Sequence, residues 1–287
     1  MPLATIEKLP TELLQEIFLH APEVNLPRAS PILALKLQHP LIYLQVCADV
    51  FEYPPPQRRF AKVEAEVVQR QAAVFAMRWM TLPLLQIYVI HRSARTPCST
   101  PISSIYDPPN RVTKTPPWLH CGIPTRLLHG PWTADKVAFL DFLLHNLHMR
   151  LDRTDRTVAA IASQGKRDAV LERNFEVVHL LAHVRRLGRP PTRDLVRFAV
   201  IEGECDRSIV FALMVAAKDW RTSRWEDAEL DEWVEREEAK GNPKAAWLRL
   251  KLMEIRAGAK SYPQAETGNY ELPGDVLQTK KAKRWCL

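Results

Sequence analysis

The stretch from Ile6 to Phe51 reads IEKLPTELLQEIFLHAPEVNLPRASPILALKLQHPLIYLQVCADVF, and it decides the fold of the N-terminal part of the chain. Its first apolar residues fall on one side of a helix with 3.6 residues per turn, namely Leu13, Leu14, Ile17 and Phe18. Pro22 ends this helix, because proline lacks an N–H group and clashes with the preceding turn. A second apolar run follows at Leu33, Leu35, Leu37 and Leu41. Helices this short cannot bury so much apolar surface among themselves, so we expect part of it to contact the rest of the chain or a partner.

Two motifs within this stretch resemble the F-box, the module that docks F-box proteins onto the Skp1 adaptor of SCF ubiquitin ligases. The first is LPTELLQEIF at residues 9–18, which resembles the opening of an F-box. The second is NLPRASP at residues 25–31, followed by Ile42-Tyr43, which resembles the F-box-like variant common in filamentous ascomycete fungi. The two motifs together, at this spacing, carry the resemblance.

The resemblance implies that the protein is an adaptor and not an enzyme. Its N-terminal unit would dock a Skp1-like subunit, and the rest of the chain would recruit an unknown substrate protein for ubiquitination. The residues that would dock are apolar anchors for a groove on the adaptor: Leu9, Pro10, Leu13, Leu14, Ile17, Phe18, Leu26 and Pro27.

Two other interpretations stay open. In one, the protein is a non-catalytic helical interaction protein whose F-box-like unit is part of its own core. In the other, it is a hydrolase or transferase of unknown type. Exposure of Ile17 and Phe18 would favour docking, whereas their burial under the helix predicted at residues 58–80 would favour the core interpretation.

Composition indicates a globular protein with reduced thiols. Hydrophobic residues make up 46% of the 287 residues and charged residues 25%, which is ordinary for a globular chain. The 23 prolines against 9 glycines favour helices separated by proline turns. The five cysteines are scattered without CxxC spacing, as expected of reduced intracellular thiols. A net charge of +7 is modest for this length, so we do not expect a nucleic-acid partner.

Neither a signal peptide nor a membrane span is predicted. The first ten residues lack the basic start and apolar core of a signal peptide. The most apolar window, residues 72–90, is interrupted by Arg78 and Pro83 and is better explained as a pair of buried helices. We therefore expect a cytoplasmic or nuclear protein without a membrane partner.

Periodicity along the chain predicts an all-α fold in three parts. Residues 6–51 form the F-box-like unit, residues 58–257 a multi-helix domain, and residues 258–287 a flexible tail. The expected helices of the domain span residues 58–80, 83–91, 133–151, 157–172, 175–187, 194–202, 207–217, 223–240 and 244–256.

A proline-rich insert at residues 93–131 interrupts the helical domain and cannot be one continuous helix. It is either a disordered insert or an extended arm that lies on the helices. Its apolar residues favour partial docking: Ile102, Ile105, Tyr106, Trp118, Leu119, Leu127 and Leu128.

A weak internal sequence repeat lies in the C-terminal half. AVLE at residues 169–172 recurs as AVIE at residues 199–202, a shift of 30 positions. Val177-Val178 recurs loosely as Ile209-Val210, a shift of 32 positions. These shifts are near the period of about 33 residues in ankyrin repeats, although TPLH is missing from both copies. The chain therefore carries either degenerate ankyrin-like helix pairs that stack, or two unrelated helical hairpins.

Motifs of catalysis and cofactor binding do not occur in the sequence. It lacks GxGxxG, a P-loop, HExxH and GxSxG. His145 and His148 are spaced to share one helix face, but no carboxylate or cysteine completes a metal site near them. We predict no catalytic residue, no metal and no cofactor.

Overall fold

A computed structural model describes residues 4–20, 26–52, 65–95, 116, 118–152, 155–187, 192–217 and 226–256. Throughout these ranges the fold is all-helical, and they contain no strand. This confirms the predicted fold class. By internal packing the chain divides into a first unit, Met1–Leu127 with Ala134–Arg150, and a second unit, Leu128–Thr133 with Leu151–Leu287. The predicted tail, residues 258–287, and the N-terminal part of the predicted helix 58–80 lie outside the described residues.

The first unit contains seven helices within the described ranges, preceded by a 3₁₀ turn at Thr5–Lys8. They are α1 Thr11–His20, α2 Leu26–Ala29, α3 Pro31–Lys36, α4 Pro40–Phe51, α5 Ala65–Ala76, α6 Leu82–Arg95 and α7 Ala134–His145. Helix α4 is central, since it packs against α1, α5 and α6. The F-box-like stretch, residues 6–51, thus packs against the helices that follow it.

An aromatic cluster holds the centre of this unit together. Phe51 is fully buried, and its ring centroid lies 5.5 Å from that of Phe75, 5.5 Å from that of Tyr88 and 5.6 Å from that of Trp118. The rings are tilted or edge-on, the arrangement that aromatic quadrupoles prefer. Because the four rings come from α4, α5, α6 and the arm that contains Trp118, one cluster ties all four segments together.

Two polar side chains fasten residues 118–127 to the helices of the first unit. Gln71 is fully buried, donates to the Trp118 carbonyl at 2.8 Å and accepts from the His120 N–H at 2.8 Å. Arg126 donates through Nε to the Phe75 carbonyl at 2.7 Å and also donates to the Met80 carbonyl. Since buried backbone groups need partners, these contacts let an irregular segment pack inside. Leu119 and Leu127 are buried as the docked-arm alternative requires, and residues 96–115 lie outside the described chain.

Three helix ends of the first unit differ from the sequence prediction, each for a physical reason. Helix α5 ends at Ala76 and not at Met80, because Arg126 binds the carbonyls where the helix stops. Helix α6 runs on to Arg95, since the next proline along the chain is Pro97. Helix α7 ends at His145 and not at Leu151, because His148 takes a left-handed conformation with φ 53°.

In the parts of the second unit that the structure describes, three helical hairpins follow one another. Its helices are α8 Arg156–Leu171, α9 Phe175–His183, α10 Arg193–Ile201, α11 Arg207–Ala216, α12 Ala228–Ala239 and α13 Pro243–Arg256. Aspartate or asparagine side chains cap four of these helices by accepting from backbone N–H groups in the first turn, which fixes where each helix begins; the caps are Asp155, Asn174, Asp206 and Asp227.

Consecutive hairpins pack on one another. Helix α8 packs against α10 and α9 against α11, so Val177-Val178 and Ile209-Val210 lie on adjacent helices, all four buried. Adjacency of these two pairs was the expectation for stacked hairpins. The acidic helix α12 and the basic helix α13 form a hairpin joined by the ion pairs Glu238–Arg249 and Asp231–Arg256. Helix α12 also packs on α10, which extends the stack to a third hairpin.

Residues 128–133 pack with the second unit and lie along α8. A Cβ atom at Gly165 would fall 1.8 Å from the Leu128 carbonyl oxygen, so only glycine permits this approach. Asp168 accepts from the Gly130 N–H at 3.1 Å, and Glu172 accepts from the Trp132 N–H at 2.9 Å. One face of α8 thus binds the backbone of an irregular segment through two carboxylates one turn apart.

A substitution at Leu181 measures how much the packing of α9 contributes to the free energy of unfolding. Replacing this side chain, which is 2% exposed on α9, by alanine should lower the free energy of unfolding by about 2–5 kcal/mol, because the change leaves a cavity. Urea unfolding followed by circular dichroism measures this. Glu176→Ala, at an exposed position of the same helix, is the control and should change stability by about 0.5 kcal/mol or less. Equal stability of the two variants would contradict the packing described for α9.

A substitution at His183 tests how the stability of the second unit depends on pH. His179 is half-buried, with its ring centroid 5.9 Å from that of Phe175 and 4.4 Å from that of His183. Burial and the neighbouring His179 lower the pKa of His183 to about 4. An unfolded histidine has a pKa of about 6.5, so the unfolded chain binds more protons between these values.

Stability should therefore be full above about pH 6.5 and fall as the pH drops towards 4. In thermal melts across this window, His183→Gln should flatten the decline in melting temperature. His91→Gln, at an exposed position of α6, should leave the slope as it is in the wild type. The same slope in His183→Gln and wild type would show that His183 is not the titrating group.

Candidate protein-docking site

The predicted docking residues on α1 divide between two faces of the helix. Leu14 and Phe18 are fully buried, because α1 packs this side against α3 and α4. Leu13 and Ile17 are 49% and 46% exposed. Each exposed residue precedes a buried one, and one residue along a helix turns the side chain by about 100°. The sequence pattern LLxxIF therefore serves two faces at once.

The other four predicted residues lie on the turns that flank α1. Pro10 is exposed, and Leu9, Leu26 and Pro27 are half-buried. Leu26 and Pro27 belong to α2, which packs on α3, and α3 in turn packs on α1. Leu9 and Pro10 directly precede α1. The structure thus gathers all eight residues in one cluster of short helices, with two of them inside it.

Lys36 positions the start of α1. Its Nζ donates to the Glu7 carbonyl at 2.8 Å and to the Leu9 carbonyl at 2.6 Å, and its own carbonyl accepts from Gln15 Nε2 at 2.9 Å. Lys36, at the end of α3, thereby holds the turn before α1 through its ammonium group. Its carbonyl holds α1 itself through the Gln15 side chain.

Glu7 completes this arrangement. Its carboxylate accepts from Ser30 Oγ and from the Ala4 N–H at 2.8 Å. The hydrogen bond from Ser30 lowers the pKa of Glu7 most, followed by the bond from Ala4 and by the charge of Lys36. The carboxylate thus remains ionised, and the contact between the N-terminal turn and the start of α3 persists, to a lower pH than usual.

A groove of about 510 Å³ lies beside the exposed stripe of α1. Glu16, Leu19 and His20 of α1 form one wall; the other wall is formed by α4 with Leu41, Ile42, Gln45 and Asp49. Leu13, Glu16, Ile17 and His20 follow the spacing i, i+3, i+4, i+7, so the groove and the apolar stripe share one face of α1. A partner that covers Leu13 and Ile17 would also reach the groove.

Two further exposed apolar residues were not recognised as candidate docking residues from the sequence. Leu35 is 71% exposed and Leu41 is 68% exposed, whereas Leu33 and Leu37 of the same apolar run are buried. The spacing contained the signal, since Leu33 and Leu37 are four residues apart and Leu35 falls between them on the opposite side. The apolar run therefore covers two faces, one buried and one exposed.

Metal-binding and catalytic geometry is not found in the described ranges. They contain no group of three or more His, Cys, Asp or Glu side chains that could hold a metal ion. His145, considered above with His148, instead contacts Asp141 through Nδ1 at 2.8 Å. Burial raises the pKa of the thiols of Cys47, Cys121 and Cys205 to about 12, which keeps them protonated and unreactive. No helix of the described residues has the length and apolarity needed to cross a membrane.

Comparison of the chain with protein-family models, with curated proteins and with solved structures finds no match.

Lys36 gives a direct test of how α1 is positioned. Lys36→Met keeps the aliphatic stem and removes two charge-assisted hydrogen bonds, so it should lower the free energy of unfolding by about 1.5–3 kcal/mol. Lys8→Met, at an exposed position of the neighbouring turn, should change it by about 0.5 kcal/mol or less. Urea denaturation of both variants measures the difference, and the same midpoint in both would rule out the proposed role of Lys36.

Proposed function

We propose that the protein is a non-catalytic adaptor of the F-box type, which docks a Skp1-like subunit through the face of α1 and recruits a substrate protein to a ubiquitin ligase. One observation carries the proposal. Within the segment that resembles an F-box, Leu13 and Ile17 are 49% and 46% exposed on adjacent turns of α1. Adjacent exposed apolar side chains are one feature of surfaces that a partner covers.

The magnitude of burial indicates how large the interface has to be. Fully burying one leucine or isoleucine is worth about 1.5–3 kcal/mol, and these two are already half covered. The pair alone therefore supplies roughly 2 kcal/mol, too little for a stable complex. Leu41, Leu35 and Pro10 are exposed in the same unit and could enlarge the contact. We expect docking to use the outer surface of α1, α3 and α4 together.

A second candidate function is supported by the inner face of the same helix. Leu14 and Phe18 are fully buried against α3 and α4, and α4 in turn packs on α5 and α6, which supports an interaction protein whose F-box-like unit is part of its own core. In structural terms the two proposals differ in whether a partner protein covers Leu13 and Ile17 or leaves them exposed to solvent. Both describe a non-catalytic protein, and both fit the cytoplasmic or nuclear location expected from the sequence.

Leu13→Asp with Ile17→Asp tests docking. The double variant should abolish capture of a purified Skp1-type protein, because it places two charges in an apolar contact. Its far-UV circular dichroism should match the wild type, since both side chains point outward. Phe18 is unsuitable for this test, because it is fully buried and an aspartate there would unfold the unit.

The matched control is Ile87→Asp with Ile90→Asp, two isoleucines of α6 that are 50% and 45% exposed. This variant should capture the Skp1-type protein as well as the wild type does. Failure of the wild-type protein to capture it, or undiminished capture by the α1 variant, would refute docking and leave the core interpretation.

A further inference from the structure

The end of α8 and the end of α10 carry the same pattern of inside and outside residues. Ala169 and Val170 are buried at 0% and 1% exposure, and Ala199 and Val200 are buried at 1% and 0%. The residue that follows each pair is a large apolar one in the solvent, Leu171 at 53% exposure and Ile201 at 37%. Packing explains the repeated Ala-Val, but it does not explain a leucine and an isoleucine that face outward in both copies.

Leu171 and Ile201 lie side by side on the stack. A Cβ atom at Gly203, two residues after Ile201, would fall 2.7 Å from Val170 Cγ1, so the second hairpin turn packs directly on the last turn of α8. Arg173 and Glu204, one from each turn, form an ion pair. Packed helices have axes about 8–10 Å apart, which sets the spacing of the two exposed side chains.

The third hairpin does not continue this pair of exposed apolar side chains. At the end of α12 the corresponding residues are Ala239 and Lys240, both exposed, so the large apolar side chain is absent there. The feature is thus limited to Leu171 and Ile201, together with the turns that follow them. We call these residues the turn-edge patch.

Charge around the turn-edge patch is negative. Asp168 and Glu172 accept hydrogen bonds only from the uncharged donors Gly130 N, Gln164 Nε2 and Trp132 N, and Glu202 has no ion pair among the described residues. The charge of Glu204 is balanced by Arg173. The nearby Arg167 guanidinium lies over the Phe198 ring, 5.2 Å from its centroid, and keeps its positive charge. The four carboxylates of Asp168, Glu172, Glu202 and Glu204 therefore exceed the guanidiniums of Arg167 and Arg173 by two. In a chain whose net charge is +7, this local excess of carboxylates favours a basic partner.

We propose that the turn-edge patch binds an amphipathic helix of a partner protein, one that has two apolar residues about seven positions apart and basic residues beside them. Apolar residues seven apart lie on one face of a helix and about 10 Å apart along its axis, which matches the roughly 8–10 Å between the axes of packed helices such as α8 and α10. Lysine or arginine beside them would pair with Glu172 and Glu202. The inference holds whether or not α1 docks a Skp1-like subunit. Under the proposed function, this patch is where the substrate protein binds.

The test uses three synthetic helical peptides of roughly 18 residues and the full-length protein in fluorescence anisotropy titrations. The first peptide has two leucines seven positions apart with lysines beside them. The second replaces the lysines by glutamates, and the third keeps the lysines but moves the leucines to opposite faces. We expect the first peptide to bind at least about tenfold more tightly than either of the others.

Leu171→Ser with Ile201→Ser should weaken binding of the first peptide by at least about tenfold, because it removes both anchors. Leu250→Ser with Met253→Ser, two exposed apolar residues of α13, is the matched control and should bind as the wild type does. Equal binding of all three peptides, no binding of the first, or undiminished binding by the Leu171/Ile201 variant would overturn the proposal. Capture of a Skp1-type protein by the Leu171/Ile201 variant should be unchanged, so failure of one proposal is distinguishable from failure of the other.

Discussion

Short helices that cannot stand alone are the constraint on which this structure depends. Helix α9 runs only from Phe175 to His183 and α10 from Arg193 to Ile201, well below the length at which an isolated helix persists in water. Each must therefore be covered by its neighbours. In the second unit this is met by stacking hairpin on hairpin, and in the first by gathering helices around α4 and the Phe51 cluster. The surfaces proposed for partners are the apolar side chains that remain uncovered after this packing.

Polar contacts decide where the irregular segments lie. Gln71 and Arg126 bind the backbone near Trp118 and near the end of α5, and Lys36 binds the backbone before α1. Each of these side chains replaces hydrogen bonds that a helix or strand would have supplied. Interactions of this kind explain why the all-α fold includes ordered arms and turns that are not helical.

Much of the helix framework could be predicted from the sequence, because apolar spacing and capping residues are local signals. The expected helix at residues 157–172 is found at Arg156–Leu171, and that at residues 207–217 is found at Arg207–Ala216. One error fell where a distant residue decides the outcome. The end of α5 depends on Arg126, about fifty residues further along the chain, and no local pattern indicates this. Leu13, Leu14, Ile17 and Phe18 were likewise all predicted to dock a partner, although they lie on two faces of α1. The pattern LLxxIF gives the spacing of apolar residues but not which of them a neighbouring helix covers.

The path of the chain between the two units has a consequence for biosynthesis. Residues 128–133 pack with the second unit, whereas α7, which follows them, packs with the first. During translation, therefore, the first unit has to wait for α7, and residues 128–133 leave the ribosome before α8, the helix they rest on. Neither unit can finish folding as a simple N-terminal or C-terminal half. A single break anywhere between Leu128 and Arg150 would leave at least one unit without a segment that belongs to it.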